Sequence, residues 1–236
     1  MRSSHNSARC RLATLAGVDI RAVLAATELL SGLGDDALDD LAAEAHLVGL
    51  SRGDLLFAEG DVADALYVVC SGRVAIARRS GDGHSSVVAL MEEEDVFGEM
   101  PLLDGGGRSA EARALEPSEV LAVPYGPVRR ALEARPEALW MVVSLLARRL
   151  RTTNEALADS MFLDVTGRTA KRLLELAGDA DDFVLPVTQE ELAGIVGASR
   201  ERVNKAIATF VRLGWLAQEE RRYRVLDRGK LAQRAT

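Results

Sequence analysis

Two short clusters of polar side chains in this chain could do chemistry. In the first, Gly98-Glu99 is followed shortly by Arg108-Ser109. The guanidinium of Arg108 is a rigid fork of donors suited to an anion, and the Ser109 hydroxyl adds one more donor. A glycine at 98 lets the backbone approach a ligand closely. Glu99 would repel an anion, so its carboxylate suits a ligand hydroxyl. A surface salt bridge is the bland alternative for Arg108 and Glu99. In the second cluster Ser199 precedes Arg200-Glu201, with Lys205 about one helical turn further on. Arginine can bond bidentately to guanine O6 and N7, and glutamate can accept from cytosine N4. Thr188 stands where a helix N-terminus would meet a phosphate. The alternative for Glu201 is a favourable charge at a helix N-terminus and nothing more.

The elements that must position these clusters follow from pattern. From about Leu50 to Val123 the chain reads as short strands separated by glycine. Leu66-Tyr67-Val68-Val69, Val74-Ala75-Ile76 and Val87-Val88-Ala89-Leu90 are β-prone runs. Gly53, Gly60, Gly72, Gly81, Gly83 and Gly98 fall at the turns between runs, so the spacing predicts a compact all-β roll or barrel. The Ala- and Leu-rich stretch from Asp19 to Glu44 is helical and would pack on that roll.

Pro136 then suits a first helical turn, and neither Gly nor Pro interrupts the run to Met161. Leu139, Val143, Leu146, Leu150, Thr153, Leu157 and Ser160 alternate in steps of four and three, a narrow heptad seam. Such a seam fits parallel homodimerisation; the other reading is an amphipathic helix buried on its own domain. Thr153 makes the far end of the seam polar. Beyond Asp164, a helix over Val165 to Ala177 closes at Gly178, and an acidic loop follows from Asp179 to Asp182. Thr188-Gln189-Glu190-Glu191 is a capping box opening a short helix. Gly197-Ala198 forms a tight turn, and Ser199 caps a second helix with Val203, Ile207, Phe210 and Val211 inward. A hairpin over Trp215 to Leu226 completes a winged helix-turn-helix, with Arg221, Arg222 and Arg224 as candidate phosphate contacts.

The net charge of −7 over 236 residues seems to disfavour a polyanion, but its distribution reverses that reading. Residues 1–164 hold 16 basic and 26 acidic side chains, whereas residues 165–236 hold 13 and 10. From Ala198 onward the count is 10 basic against 4 acidic. Charge alone allows either a solvated basic face or a small nucleic-acid-binding domain. Two cysteines, Cys10 and Cys70, and three histidines are too few for a disulfide framework, an all-Cys cluster or a multi-His metal site. Cys70 reads as a small strand core residue, and His46 and His84 as surface or loop residues. The longest strongly apolar stretch, Ala138 to Ala147, stops at Arg148-Arg149, so no transmembrane helix is expected. Residues 1–18 read as a mobile tail with no secretory signal, and the chain is expected in the cytoplasm.

Four of these motifs carry a family resemblance. Gly98-Glu99-Met100-Pro101-Leu102-Leu103 with Arg108-Ser109-Ala110 resembles the phosphate-binding cassette of cyclic-nucleotide-binding domains. Gly60-Asp61, Leu66-Tyr67-Val68-Val69 and Ser71-Gly72 resemble the turns and strands of that β-roll. Phe162-Leu163-Asp164-Val165-Thr166-Gly167-Arg168 is similar to the hinge of bacterial cyclic AMP receptor proteins, and residues Val196 to Lys205 resemble their recognition helix. In order and over about residues 25–230, they resemble the CRP/FNR-type regulators, nearest to the cyclic AMP receptors.

The resemblance implies an α+β chain in four parts. These are a tail (1–18), a cyclic-nucleotide-binding β-roll or double-stranded β-helix with flanking helices (19–134), a dimerisation helix (135–162) and a winged helix-turn-helix (163–236). It implies cyclic AMP as allosteric ligand, held by Gly98, Glu99, Arg108 and Ser109, with Glu99 on the ribose and Thr153 and Asn154 against the adenine. It implies double-stranded DNA as partner, contacted by Thr188, Ser199, Arg200, Glu201 and Lys205 at a palindromic TGTGA-like site. It also implies a homodimer, RNA polymerase as a further partner, and no enzyme activity. The four-cysteine iron–sulfur sensors and the Cys/His haem sensors of the family are not matched. One departure is Pro101, where the family has a small residue. If the missing N–H normally meets the phosphate, affinity falls by roughly 1.5–3 kcal/mol. A cyclic di-GMP-responsive or constitutive regulator, or a ligand-binding module acting on a partner protein, are the alternatives.

Overall fold

A computed structural model describes residues 19–79 and 85–236. The tail expected over residues 1–18, with Cys10, and the turn glycines Gly81 and Gly83 with His84, lie outside the described residues. The chain falls into two compact units, residues up to Ile76 with Leu90–Leu146, and Ala77–Ala89 with Ala147–Thr236.

The first unit opens with α1 (Ile20–Ala26) and α2 (Asp35–Glu44). The single helical stretch expected there is broken in two. Buried Thr27 donates from Oγ1 to Leu24 O at 2.9 Å and accepts from Leu30 N at 3.2 Å, which turns the chain between the helices. Along the chain follow β1 (His46–Leu50), β2 (Leu55–Phe57), β3 (Ala65–Ser71), β4 (Val74–Arg79), β5 (Ser85–Met91) and β6 (Val96–Phe97), of which Ala77–Ala89 in β4 and β5 are grouped with the second unit. Then come α3 (Met100–Asp104), β7 (Glu111–Ala114), β8 (Ser118–Pro124) and α4 (Tyr125–Ala134). The strands make two four-stranded sheets, β1-β8-β3-β6 and β2-β7-β4-β5.

The strand β3 shows why the roll closes. Its Leu66 and Val68 join the core against the helices, while Val69 joins the core between the sheets, with Phe97, Ala112 and Val120. With both faces covered, the strand reads as a continuous apolar run and not as an alternation. Each such buried Leu or Val contributes about 1.5–3 kcal/mol. Cys70 of this strand is half-buried, and burial pushes its thiol up to about 11, which suits a packed residue better than a reactive one.

A 3₁₀ turn over Pro136–Ala138 leads into α5 (Leu139–Phe162), a helix of 24 residues and about 36 Å. Ala138 of that turn and Val142, Leu145 and Leu146 of the first helical turns pack into the core of the first unit. The heptad seam is otherwise open: Leu139, Val143, Leu150 and Leu157 are 46–61% exposed.

The second unit contains α6 (Val165–Ala177), β9 (Asp182–Val184), α7 (Gln189–Val196), α8 (Arg200–Arg212), β10 (Leu216–Glu219), β11 (Arg222–Val225) and α9 (Arg228–Arg234). The strands form a sheet in the order β10-β11-β9. Leu173, Leu192, Val203, Ile207, Phe210, Tyr223 and Leu231 are fully or nearly fully buried. Two expectations are corrected here. Val211 is 41% exposed, not inward, because the buried stripe of α8 runs through Val203, Ala206, Ile207 and Phe210. Asp182 is not loop: it pairs with Arg224 across the β9–β11 ladder. No helix among the described residues is long and apolar enough to cross a membrane.

Asp164 caps α6 by accepting from Gly167 N at 2.8 Å and also binds Arg234 of α9. The Gly167 N–H, and then Arg234, hold its carboxyl below the ordinary carboxylate range. Its contribution is therefore present above the unfolded-state value and is lost as pH falls through the depressed folded-state value. Asp164→Ala should cost about 1 kcal/mol in urea unfolding at pH 7, with the gap to the parent closing in acid.

Candidate functional site

The first cluster is organised around a buried guanidinium. The chain leaves β6 at Gly98 with φ of +75°, where a Cβ would lie 2.6 Å from Arg108 Nη1. Glu99, next in sequence and N-cap of α3, is 0% exposed, and Arg108 is 4% exposed. Arg108 Nη1 donates to Gly98 O at 2.9 Å and to the Tyr125 hydroxyl at 3.1 Å, and Nη2 donates to Ala65 O at 2.8 Å. The Tyr125 hydroxyl also donates to Gly98 O. Phe57 stacks under the guanidinium with its ring centre 4.1 Å from Cζ, and Tyr67 stands at 5.3 Å. Burial pushes the Tyr125 phenol up to about 12, so it stays a neutral donor at neutral pH.

The backbone of Arg108 is fastened as well. Its N–H donates to Asp61 O at 3.0 Å, and its C=O accepts from Gly60 N at 2.8 Å. The Gly60-Asp61 turn thereby sets the depth of the side chain.

Five N–H donors make up a guanidinium. The contacts above use both Nη1 hydrogens and one on Nη2. Arg108 Nε is buried with no hydrogen-bond partner. A buried donor without an acceptor is costly unless a ligand meets it. The arrangement can therefore take a small anion at Arg108, with the Ser109 hydroxyl exposed beside it and the Glu99 carboxylate as a nearby acceptor.

Gly98, Glu99, Arg108 and Ser109 are thus gathered in the first unit. Thr153 and Asn154 are exposed on the part of α5 that belongs to the second unit, and Thr153 Oγ1 donates back to Arg149 O at 2.9 Å. Sequence reasoning missed Phe57 and Tyr125 as partners of Arg108. An aromatic at a strand end and another opening a helix carry no local signal of a shared cation. Pro101 is buried in the first turn of α3.

The second cluster lies on α7, α8 and the wing. Thr188 and Glu191 form the reciprocal capping box of α7, with Thr188 Oγ1 accepting from Glu191 N at 3.2 Å. Gly197 ends α7 in the left-handed region at φ +68°, and Ser199 caps α8 by accepting from Arg202 N at 3.4 Å. Arg200, Glu201 and Lys205 are all exposed on α8. Thr188, Gln189, Glu190, Arg200 and Arg221 line one open cleft of about 260 Å³. The structure sorts the wing arginines. Arg222 and Arg224 are paired with Asp182 at 2.7 and 3.1 Å, which holds the Asp182 carboxyl below its ordinary range. Arg221 instead faces the cleft, with Nη2 donating to Leu185 O at 3.0 Å.

Comparison with known proteins places both clusters in matched domains. The family model of the cyclic nucleotide-binding domain matches residues 47–135, and that of the Crp-like helix-turn-helix domain matches residues 167–234. The chain is 39% identical over 220 residues to the CRP-like cAMP-activated global transcriptional regulator of Mycobacterium tuberculosis, covering 90% of this chain and 98% of that protein. It resembles the solved structure of a CRP/FNR-family transcriptional regulator from Thermus thermophilus with a TM-score of 0.67 at 26% identity, over 80% of this chain and 98% of that one. The c-di-GMP-responsive global regulator CLP of Xanthomonas campestris shares the fold, with a TM-score of 0.71 at 24% identity over the same shares of the two chains. By two matched domains and a relative aligned over nearly its whole length, the chain belongs to the CRP/FNR family of transcription regulators, DNA-binding proteins with a cyclic nucleotide-binding domain and not enzymes.

Proposed function

We propose that the protein is a homodimeric, cytoplasmic transcription regulator that binds a palindromic TGTGA-like DNA site under the control of cyclic AMP. The observation that carries the ligand assignment is the buried Arg108, whose Nε lacks an acceptor beneath the Gly98 turn. A cyclic phosphate is a monoanion that Arg108 and Ser109 can receive, and Glu99 can accept from a ribose hydroxyl. Cyclic AMP is favoured over other cyclic nucleotides by the cAMP-activated relative aligned over most of this chain. Thr153 and Asn154 of α5 are the candidates for the base.

The exposed seam of α5 supports the dimer. Leu150 and Leu157, 61% and 58% exposed, would each lose most of that apolar exposure against a partner helix. Two heads must then match half-sites about one helical turn, roughly 34 Å, apart. Ligand bound near the seam favours the head arrangement that fits, which is a population shift. On α8, Arg200 and Glu201 read base edges from the first turn, Lys205 lies on the same helix, and Thr188 and Ser199 stand at helix N-termini facing phosphate. RNA polymerase is the further partner of such a regulator.

Calorimetry with cyclic AMP, cyclic GMP and cyclic di-GMP tests the ligand. Cyclic AMP should bind most tightly, and Arg108→Gln should weaken it by roughly 1.5–3 kcal/mol. Preference for cyclic di-GMP would reassign the pocket. Leu150→Glu should shift the chain to a monomer in sedimentation velocity. Arg200→Ala should lose about 1–3 kcal/mol of discrimination against a changed guanine while keeping its affinity for unrelated duplex. Unaltered discrimination would remove Arg200 from the readout.

A further inference from the structure

Arg168 lies in the hinge motif, yet no role above uses it. It sits in the first turn of α6 with its guanidinium on three carbonyls of two different segments. Nη1 donates to Leu163 O at 2.7 Å, just past the end of α5. Nε donates to Val196 O at 2.9 Å, the last residue of α7, and Nη2 reaches Gly197 O at 3.5 Å. These last two carbonyls belong to the turn that delivers Ser199 and Arg200 into α8. The same end of α5 is fastened to α6 a second time, by Lys171 Nζ on Asp159 at 2.7 Å. Asp164, between them, is held by Arg234.

Arginine on helix-terminal carbonyls is a common cap. What a cap does not require is the third bond, to Leu163 O in the link between α5 and α6, a residue whose own N–H still donates to Asp159 O of α5 at 2.9 Å. A planar fork with fixed donor directions cannot keep all three if the end of α5 and the α7–α8 turn move independently. Gly197, in the left-handed region, is the corner of that turn. A shift at Leu163 must therefore either carry the start of α8 with it or break bonds of a half-buried charge.

We propose that Arg168 is a positioning residue for base readout, a strut that ties the N-terminus of α8 to the end of the long helix. The proposal rests on the reading that α8 contacts base edges. Through Arg168, whatever places α5 also places Arg200 and Glu201.

The test uses the full chain and a duplex that the parent selects from a random pool. Affinities for that duplex and for a scrambled one are measured for the parent, Arg168→Gln, Arg168→Lys and Arg200→Ala, with thermal midpoints alongside. Both Arg168 variants should hold scrambled-duplex affinity within about twofold, because phosphate contacts persist, and lose about 10-fold or more in the selected-to-scrambled ratio. Lysine restores the charge but not the fork, so it should not rescue the ratio. An unchanged ratio in Arg168→Gln beside a lost one in Arg200→Ala would overturn the strut. Equal loss on both duplexes with a lowered midpoint would overturn it too, by showing a purely structural cap. An unchanged ratio in Arg200→Ala would instead overturn the reading of α8, and the proposal with it.

Discussion

A guanidinium at 4% exposure has little water to rely on, and in the first unit four separate pieces of chain converge on Arg108. Ala65 at the start of β3 and Gly98 after β6 give carbonyls, Tyr125 gives a hydroxyl, and Phe57 gives a ring face. The Gly60-Asp61 turn anchors the backbone. Removing water from a charge costs several kcal/mol, so this site can be stable only if those pieces hold their places together. The roll, with β3 buried on both faces, is what holds them. The position of the unpartnered Nε thus follows from the sheet order, and the same constraint favours glycine at 98, where φ is +75° and a Cβ would lie 2.6 Å from Nη1 unless the guanidinium shifted.

The second unit solves a different problem, which is presenting charge and not hiding it. Arg200, Glu201 and Lys205 are exposed on a helix whose own stability comes from the opposite face, through Val203, Ala206, Ile207 and Phe210. With Arg222 and Arg224 paired to Asp182, the cleft at Thr188 keeps Arg200 and Arg221 as its basic side chains, beside Glu190 and Glu220. Basic residues are numerous in this unit, yet the ones aimed at a common point are few.

Much of this was legible in the sequence, for reasons specific to each element. Leu66-Tyr67-Val68-Val69 showed as a strand because burial on both faces leaves an unbroken apolar run. The capping box at Thr188, the Gly197 corner and the Ser199 cap showed because helix ends have few chemical solutions. What stayed hidden lacks local signal. The strand β1 has no clear alternation, since His46 and Gly49 are exposed within it. The helix α9 buries only Leu231 and so has no periodicity to find. Asp182 looked like one more acid in an acidic run, and only its register against Arg224 makes it strand. The partners of Arg108 come from 43 residues upstream and 17 downstream, which no spacing rule connects.

On the proposed reading, a nucleotide held at Arg108 governs DNA binding by α8. The most direct measurement is the affinity of the full chain for a TGTGA-N6-TCACA duplex, titrated by fluorescence anisotropy with and without saturating cyclic AMP at one salt concentration. Binding should be tighter with the nucleotide, with a matching gain in nucleotide affinity when the duplex is present, as linkage requires. Equal affinity for the duplex with and without cyclic AMP, in a chain that calorimetry shows to bind it, would mean that the nucleotide does not control DNA binding.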